Sequence, residues 1–255
     1  ANLFRKMAYE PVFEPDGSDS IRERPNLVGQ AKLYQGDAYR TAGIGSAYAK
    51  IKIWEGLDFT TTWSADIGHD SGDEFYPSTI LGGSNRPSSA YANKWNTWLS
   101  ENVLSYNLEI KKHKINAIVG YSMQESRNFN FNASANGGPS DLISTMNAST
   151  NKNSIYSYKT GWGLNSFFAR ANYSFASKYL IGASIRNDGS SRFGANNRYA
   201  LFPAGSIAWR ISEEGFMKEL TFLNDLKLRA SMGRTGNQNI GNYDAQGTYT
   251  TGANY

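Results

Sequence analysis

The stretch Leu57-Asp58-Phe59-Thr60-Thr61-Thr62-Trp63-Ser64-Ala65-Asp66-Ile67 decides the fold. Leu57, Phe59, Thr61, Trp63, Ala65 and Ile67 share one side, and Asp58, Thr60, Thr62, Ser64 and Asp66 share the other. Successive side chains of a strand point to opposite faces, so this period of two predicts a long strand with an apolar and a polar side. Just upstream, Gly45, Ala47, Ala49, Ile51 and Ile53 alternate with Ser46, Tyr48, Lys50 and Lys52. Trp54-Glu55-Gly56 joins the two strands as a tight turn, in which glycine supplies a positive φ.

The same unit recurs three times. Leu104, Tyr106, Leu108 and Ile110 turn through Lys111-Lys112-His113 into Ile115, Ala117, Val119, Tyr121 and Met123. Phe167, Ala169, Ala171, Tyr173 and Phe175 turn at Ala176-Ser177 into Tyr179, Ile181, Ala183 and Ile185. The fourth pair sets Ile207, Trp209 and Ile211 against Leu226, Leu228, Ala230 and Met232. Its link, residues 212–224, holds Phe216, Met217 and Leu220 and is expected to form a short helical turn.

Between the pairs the connections are long and rich in Asp, Asn, Ser, Gly and Pro: residues 68–95, 125–161 and 187–199. Residues 1–40, with Pro11, Pro15, Pro25 and Asp16-Gly17, read as another loop. Strands of about ten residues joined by alternately short and long connections are the pattern of an antiparallel transmembrane β-barrel. Its short turns face the periplasm and its long loops face outward. A soluble sandwich also alternates, but its second face is rich in Lys and Glu. Here that face is Ser, Thr, Asn, Gly and scattered Arg. Phe175 and Tyr179 flank one tight turn on the apolar face, at the level where interfacial aromatic girdles lie.

Composition agrees with an all-β chain. No run of about 18 apolar residues occurs in the 255, which excludes a helical membrane protein. Aromatics at 14% and a net charge of only +4 exclude disorder. Cysteine is absent, so there is no disulfide, thiolate nucleophile or thiolate metal site. The positive charge is spread without a Lys/Arg block, so no nucleic-acid partner is expected. Ala1-Asn2-Leu3-Phe4-Arg5 does not read as a signal peptide.

From Ser166 onward the residues become specific. They run Phe167-Phe168-Ala169-Arg170-Ala171-Asn172-Tyr173-Ser174-Phe175, then Lys178-Tyr179-Leu180, then Arg186-Asn187-Asp188-Gly189-Ser190-Ser191-Arg192-Phe193-Gly194. Phe202-Pro203-Ala204-Gly205-Ser206-Ile207-Ala208-Trp209-Arg210-Ile211-Ser212, Leu223-Asn224-Asp225-Leu226-Lys227-Leu228-Arg229-Ala230-Ser231 and Gly236-Asn237-Gln238 continue the series. This third of the chain resembles the barrel strands of SusC/RagA-type TonB-dependent outer-membrane transporters. Residues 1–165 match more loosely, at Glu55-Gly56-Leu57 and Gly120-Tyr121.

The resemblance implies a plugged 22-strand barrel in the bacterial outer membrane, of which residues 1–255 are a partial barrel domain of about eight strands. It implies import of oligosaccharides or peptides with energy relayed by TonB, a SusD-like surface lipoprotein as partner, and outer-membrane lipid around the wall. A plug, a TonB-contacting segment and a terminal strand ending in an aromatic are not recognisable among these residues, so a middle section of the wall is expected. The reading in another class is a passive structural or adhesin-like barrel without transport.

No enzyme, cofactor or catalytic constellation is expected. His69 and His113 fall in a loop and a turn, and no G-x-S-x-G elbow supports a triad. Asp66, Asp70, Asp73 and Glu74 offer hard oxygen ligands for Ca²⁺ but lack an EF-hand frame. Neither Gly43-Ile44-Gly45 nor Gly161-Trp162-Gly163 completes a phosphate loop. Parity places Arg170, Arg186, Lys227 and Arg229 on the polar, lumen-facing side, with few inward carboxylates to match them. There they would line a plug-docking or substrate-path surface. Phe75, Tyr76 and Trp95 are the candidates for contacting substrate from loops, and Phe175 and Tyr179 those for the lipid interface.

Overall fold

The computed structural model describes residues 33–78, 85–217 and 222–246. Eight strands run in chain order: β1 (Gln35–Trp54), β2 (Leu57–Phe75), β3 (Ser88–Ile110), β4 (His113–Asn136), β5 (Asn151–Phe175), β6 (Tyr179–Ser190), β7 (Tyr199–Arg210) and β8 (Lys227–Gly233). They form one sheet in the order β1-β2-β3-β4-β5-β6-β7-β8. Among the described residues β8 does not pair back to β1, so the sheet is open with two edges, as an incomplete wall requires.

The chain divides into two compact units. One comprises Ala1–Gly43, Ile67–Trp95 and Asn128–Lys159; the other comprises Ile44–Asp66, Asn96–Arg127 and Thr160–Tyr255. In the second unit the register fixes the faces. Ala171 opposes Ala183 and Tyr173 opposes Ile181; Ile181 opposes Ile207 and Ala183 opposes Gly205; Ile207 opposes Ala230 and Trp209 opposes Leu228. The other side carries Arg170 opposite Ser184, Gly182 opposite Ser206, and Ser206 opposite Ser231.

Burial is inverted relative to a water-soluble protein. Trp63, Val119, Phe167, Ile181, Ile207 and Leu228 are each more than half exposed, all on the apolar face. The buried apolar side chains among the described residues are few, Leu57, Phe75, Pro77, Ala133 and Ala135, while Ser88, Ser100, Ser122, Ser126, Ser149, Ser166 and Ser190 are buried. A contiguous apolar face of this kind is unfavourable in water and needs a nonaqueous partner. Lipid fits by length as well. The 12 residues of β6 or β7 rise about 3.3 Å each, so at a tilt near ~45° they cross roughly 28 Å, about one hydrocarbon core.

The strands β1 to β5 correct the expectation of ten-residue strands, since they run for 20, 19, 23, 24 and 25 residues, and β1 takes in residues 35–40 of the expected N-terminal loop. Much of the expected loop at 68–95 and 125–161 is therefore paired strand. Ladder hydrogen bonds continue there although both sides are polar, as in Asn151-Lys152-Asn153-Ser154. Hydropathy contrast needs one face in lipid, and it vanishes once both faces meet water. Residues 1–32 of the expected N-terminal loop, 79–84, and Leu220 lie outside the described residues. The fourth link forms two 3-10 turns, Ile211–Glu213 and Gly215–Met217, so Ile211 begins the link after β7 instead of belonging to the strand.

The tight turns are short, as expected. Gly56 has φ +79°, and a Cβ there would collide with the backbone oxygen of Asn107. Ala176 and Ser177 both adopt left-handed φ, 53° and 60°, and Lys178 N–H donates to Phe175 O across them at 3.0 Å. His113 begins β4 and is not a turn residue.

Candidate lumen wall

The four cations singled out from the sequence share the polar face of β5–β8, but the structure separates them. Arg186 is satisfied: its Nε donates to Asp188 Oδ1 at 2.6 Å and its Nη2 to Ser166 Oγ at 2.9 Å. Its guanidinium lies 5.7 Å from the Phe168 ring centre, and that ring packs against Gly120 in space that a Cβ there would take. This corrects the expectation that inward carboxylates are lacking, at least for Arg186.

Arg170, Lys227 and Arg229 line one cavity of about 970 Å³ together with Asn172, Ser206 and Ser231, and the Glu109–Lys114 ion pair, 2.8 Å apart, lines it as well. The small side chains at Gly182, Ser206 and Ser231 open the space in front of the cations. Among the described residues none of the three has a carboxylate partner. Lys227 stands opposite Arg210 in the ladder, and Asp225, 3.8 Å from the Arg210 guanidinium, offsets that like-charge pair. The arrangement is a cationic patch suited to carboxylate or other anionic groups.

Of the three aromatic residues expected in loops, two sit in strands and only Tyr76 lies in a link. Phe75 closes β2 and is only 2% exposed, and Trp95 lies within β3. Trp95 lies across Gly68 with the Arg40 guanidinium 5.1 Å from its ring. Tyr76 follows β2, its ring 5.1 Å from that of Tyr34 and its N–H bonded to Pro87 O. In the same unit Arg86 ties the long connections: Nε donates to Asp141 Oδ1 at 2.6 Å and Nη1 to Gly138 O at 3.1 Å. No sequence motif announces that clamp, because its members come from two separate links.

His69 lies within β2 and not in a loop. His69 Nδ1 bonds to Asn93 O at 3.0 Å and His113 Nδ1 to Tyr173 OH at 2.7 Å. The alternation of β2 sends Asp73 to the face opposite Asp66, Asp70 and Glu74, and no metal-holding group of three occurs among the described residues.

At the tight-turn end, Phe175 and Tyr179 stack with ring centres 6.5 Å apart, both partly exposed on the apolar face. Glu214, unremarked in the sequence, organises this edge. It accepts from Lys178 Nζ at 2.8 Å, Tyr179 OH at 2.7 Å and Trp209 Nε1 at 3.2 Å. Those donors, Lys178 foremost, hold its carboxyl down to about 2 from the ordinary 4.5. A depressed pKa means that this support is full above 4.5 and is lost as pH falls toward about 2. The difference in tryptophan emission between the parent protein and Glu214→Gln is therefore expected to stay constant down to pH ~4 and to disappear near pH ~2. Disappearance already near the ordinary value would show that the three donors do not act on Glu214.

Comparison with known proteins bears on this wall. The family described as "TonB dependent receptor-like, beta-barrel" matches residues 5–255. TonB-dependent receptor P39 of Formosa agariphila is 35% identical over 266 residues, covering all of this chain and 26% of that protein. TonB-dependent receptor SusC of Bacteroides thetaiotaomicron is 49% identical over 84 residues, 33% of this chain and 8% of that protein. Among solved structures, the RagAB peptide importer in its "open-open" state superposes with a TM-score of 0.83 at 26% identity, covering 94% of this chain and 28% of that one. The RagAB peptide transporter gives 0.80 at 28% identity, covering 88% and 26%. The chain thus spans about a quarter of the length of the curated relatives that match it end to end.

Proposed function

We propose, from the premise that the chain belongs to the SusC/RagA-type TonB-dependent receptor family, that it is a section of the barrel wall of an active outer-membrane importer. The family is non-catalytic and resides in the outer membrane. In this reading residues 1–255 are a partial barrel domain, the cargo is an oligosaccharide or a peptide, and TonB relays the energy. A SusD-like surface lipoprotein is the partner on the long-loop side. The polar face of β5–β8 then lines the lumen, and Arg170, Lys227 and Arg229 meet carboxylates of a plug or of cargo on its path.

The observation that carries the reading is that cavity, in which three cations converge without a partner among the described residues. An ordinary solvated wall has no need to gather them. The test replaces all three by alanine in the full-length parent. Uptake of a labelled peptide or oligosaccharide mixture by cells is expected to fall at least about tenfold, as loss of charge-assisted contacts implies, while the folded barrel still shows heat-modifiable migration on a gel. Unchanged uptake would remove the cations from the path, and an importer-independent phenotype on deleting the parent would favour a passive barrel.

A further inference from the structure

We infer that Arg192 is a positioning residue that pins residues 234–246 across the lumen-facing side of β5 to β7, where the segment narrows the path. The narrowing rests on the wall reading above; the pinning does not.

Leaving β8 at Gly233, the chain first continues its pairing along β7, and from Gln238 on it reaches the β6–β7 link and β5. Arg234 N–H donates to Pro203 O at 2.9 Å, and Gly236 lies against the Phe202 ring so closely that a Cβ would overlap it. Phe202 stands opposite Arg186, on the polar face. Arg192, in the link between β6 and β7, then holds the segment from the far side. Its Nε donates to Asn242 Oδ1 at 2.9 Å and its Nη1 to Gln238 O at 3.1 Å, while its guanidinium sits 5.1 Å from the Trp162 ring centre on β5. Strand alternation places Trp162 on the same side as Phe168 and Arg170. Gly161 N–H donates to Tyr243 OH at 3.2 Å, which fastens the end of the segment to β5.

The segment therefore touches β7, the β6–β7 link and β5, with one side chain at the centre. Only arginine can stack on an aromatic ring while donating from two different nitrogens of a rigid fork. Two of the stretches that carry the family resemblance, one holding Arg192 and one ending at Gln238, meet at this point. Asn237 and Asn239 are exposed, the Asn237 Oδ1 accepting from Asn239 N–H at 2.8 Å, which leaves the Asn239 amide free to offer a donor and an acceptor to whatever passes.

The experiment uses the full-length parent cleared of other cysteines. Spin labels at Asn196 and Asn239, both exposed, report the position of the segment by pulsed dipolar spectroscopy. Labelling of Ser184→Cys on the polar face by an impermeant maleimide on intact cells reports the bore. Arg192→Ala is expected to turn one narrow distance distribution into a broad one and to speed the labelling several-fold. Asn242→Ala, which removes a single contact and leaves the barrel intact, should shift both in the same direction by less. An unchanged distribution in folded Arg192→Ala protein overturns the pinning. A broadened distribution with an unchanged labelling rate overturns the narrowing. Neither readout requires import, so a failure of the transport reading would appear in uptake alone.

Discussion

Phe75→Ala in the full-length parent is expected to lower the unfolding free energy by about 3–5 kcal/mol, the range for truncating a fully buried phenylalanine. Phe75 is 2% exposed at the end of β2 and is one of the two largest fully buried side chains among the described residues. Tyr76→Ala, next in the chain but with its ring only tilted against Tyr34, should cost about 1 kcal/mol, the size of an aromatic pair. A urea titration of the refolded parent measures both. If Phe75 contacted cargo, the pattern would invert: stability would hold, and uptake would fall in Phe75→Ala.

Phe75 also shows why the sequence is legible in one part and not in another. Within β5, β6 and β7 each residue's side follows from alternation, and the register sets apolar residues against apolar or small ones, as Tyr173 against Ile181 and Ile181 against Ile207. Beyond the membrane span the contrast between the two faces ends. Ser88-Ser89-Ala90-Tyr91-Ala92-Asn93-Lys94-Trp95 reads as a loop by composition, yet it is held as strand by backbone pairing that hydropathy does not report. Partners two residues apart are a different case. Asp188 shares a face with Arg186 by the same period of two, so that ion pair is present in the sequence for a reader who counts. The Glu214 anchor and the Arg192 clasp are not. Each depends on a link folding back onto a strand, which no local pattern encodes.

The assignment of faces makes the sharpest demand on β6. Ala183 lies near the middle of that 12-residue strand, opposite Ala171 on one neighbour and Gly205 on the other, so its side is the apolar one. Ser184 beside it stands opposite Arg170 and Ala204, on the side that already carries a cation. An arginine at position 183 would have to enter hydrocarbon near the midplane with neighbours too small to shield it, at a cost of about 2–4 kcal/mol. An arginine at 184 would enter a wet, polar space and be close to neutral, with a small penalty from Arg170 that salt should reduce. Both variants of the full-length parent can be refolded into lipid vesicles and titrated with denaturant. Ala183→Arg should lose most of that stability and Ser184→Arg almost none. Equal losses would mean that both sides of β6 meet the same medium, and the reverse order would turn the barrel inside out, taking Arg170, Lys227 and Arg229 from the lumen into lipid.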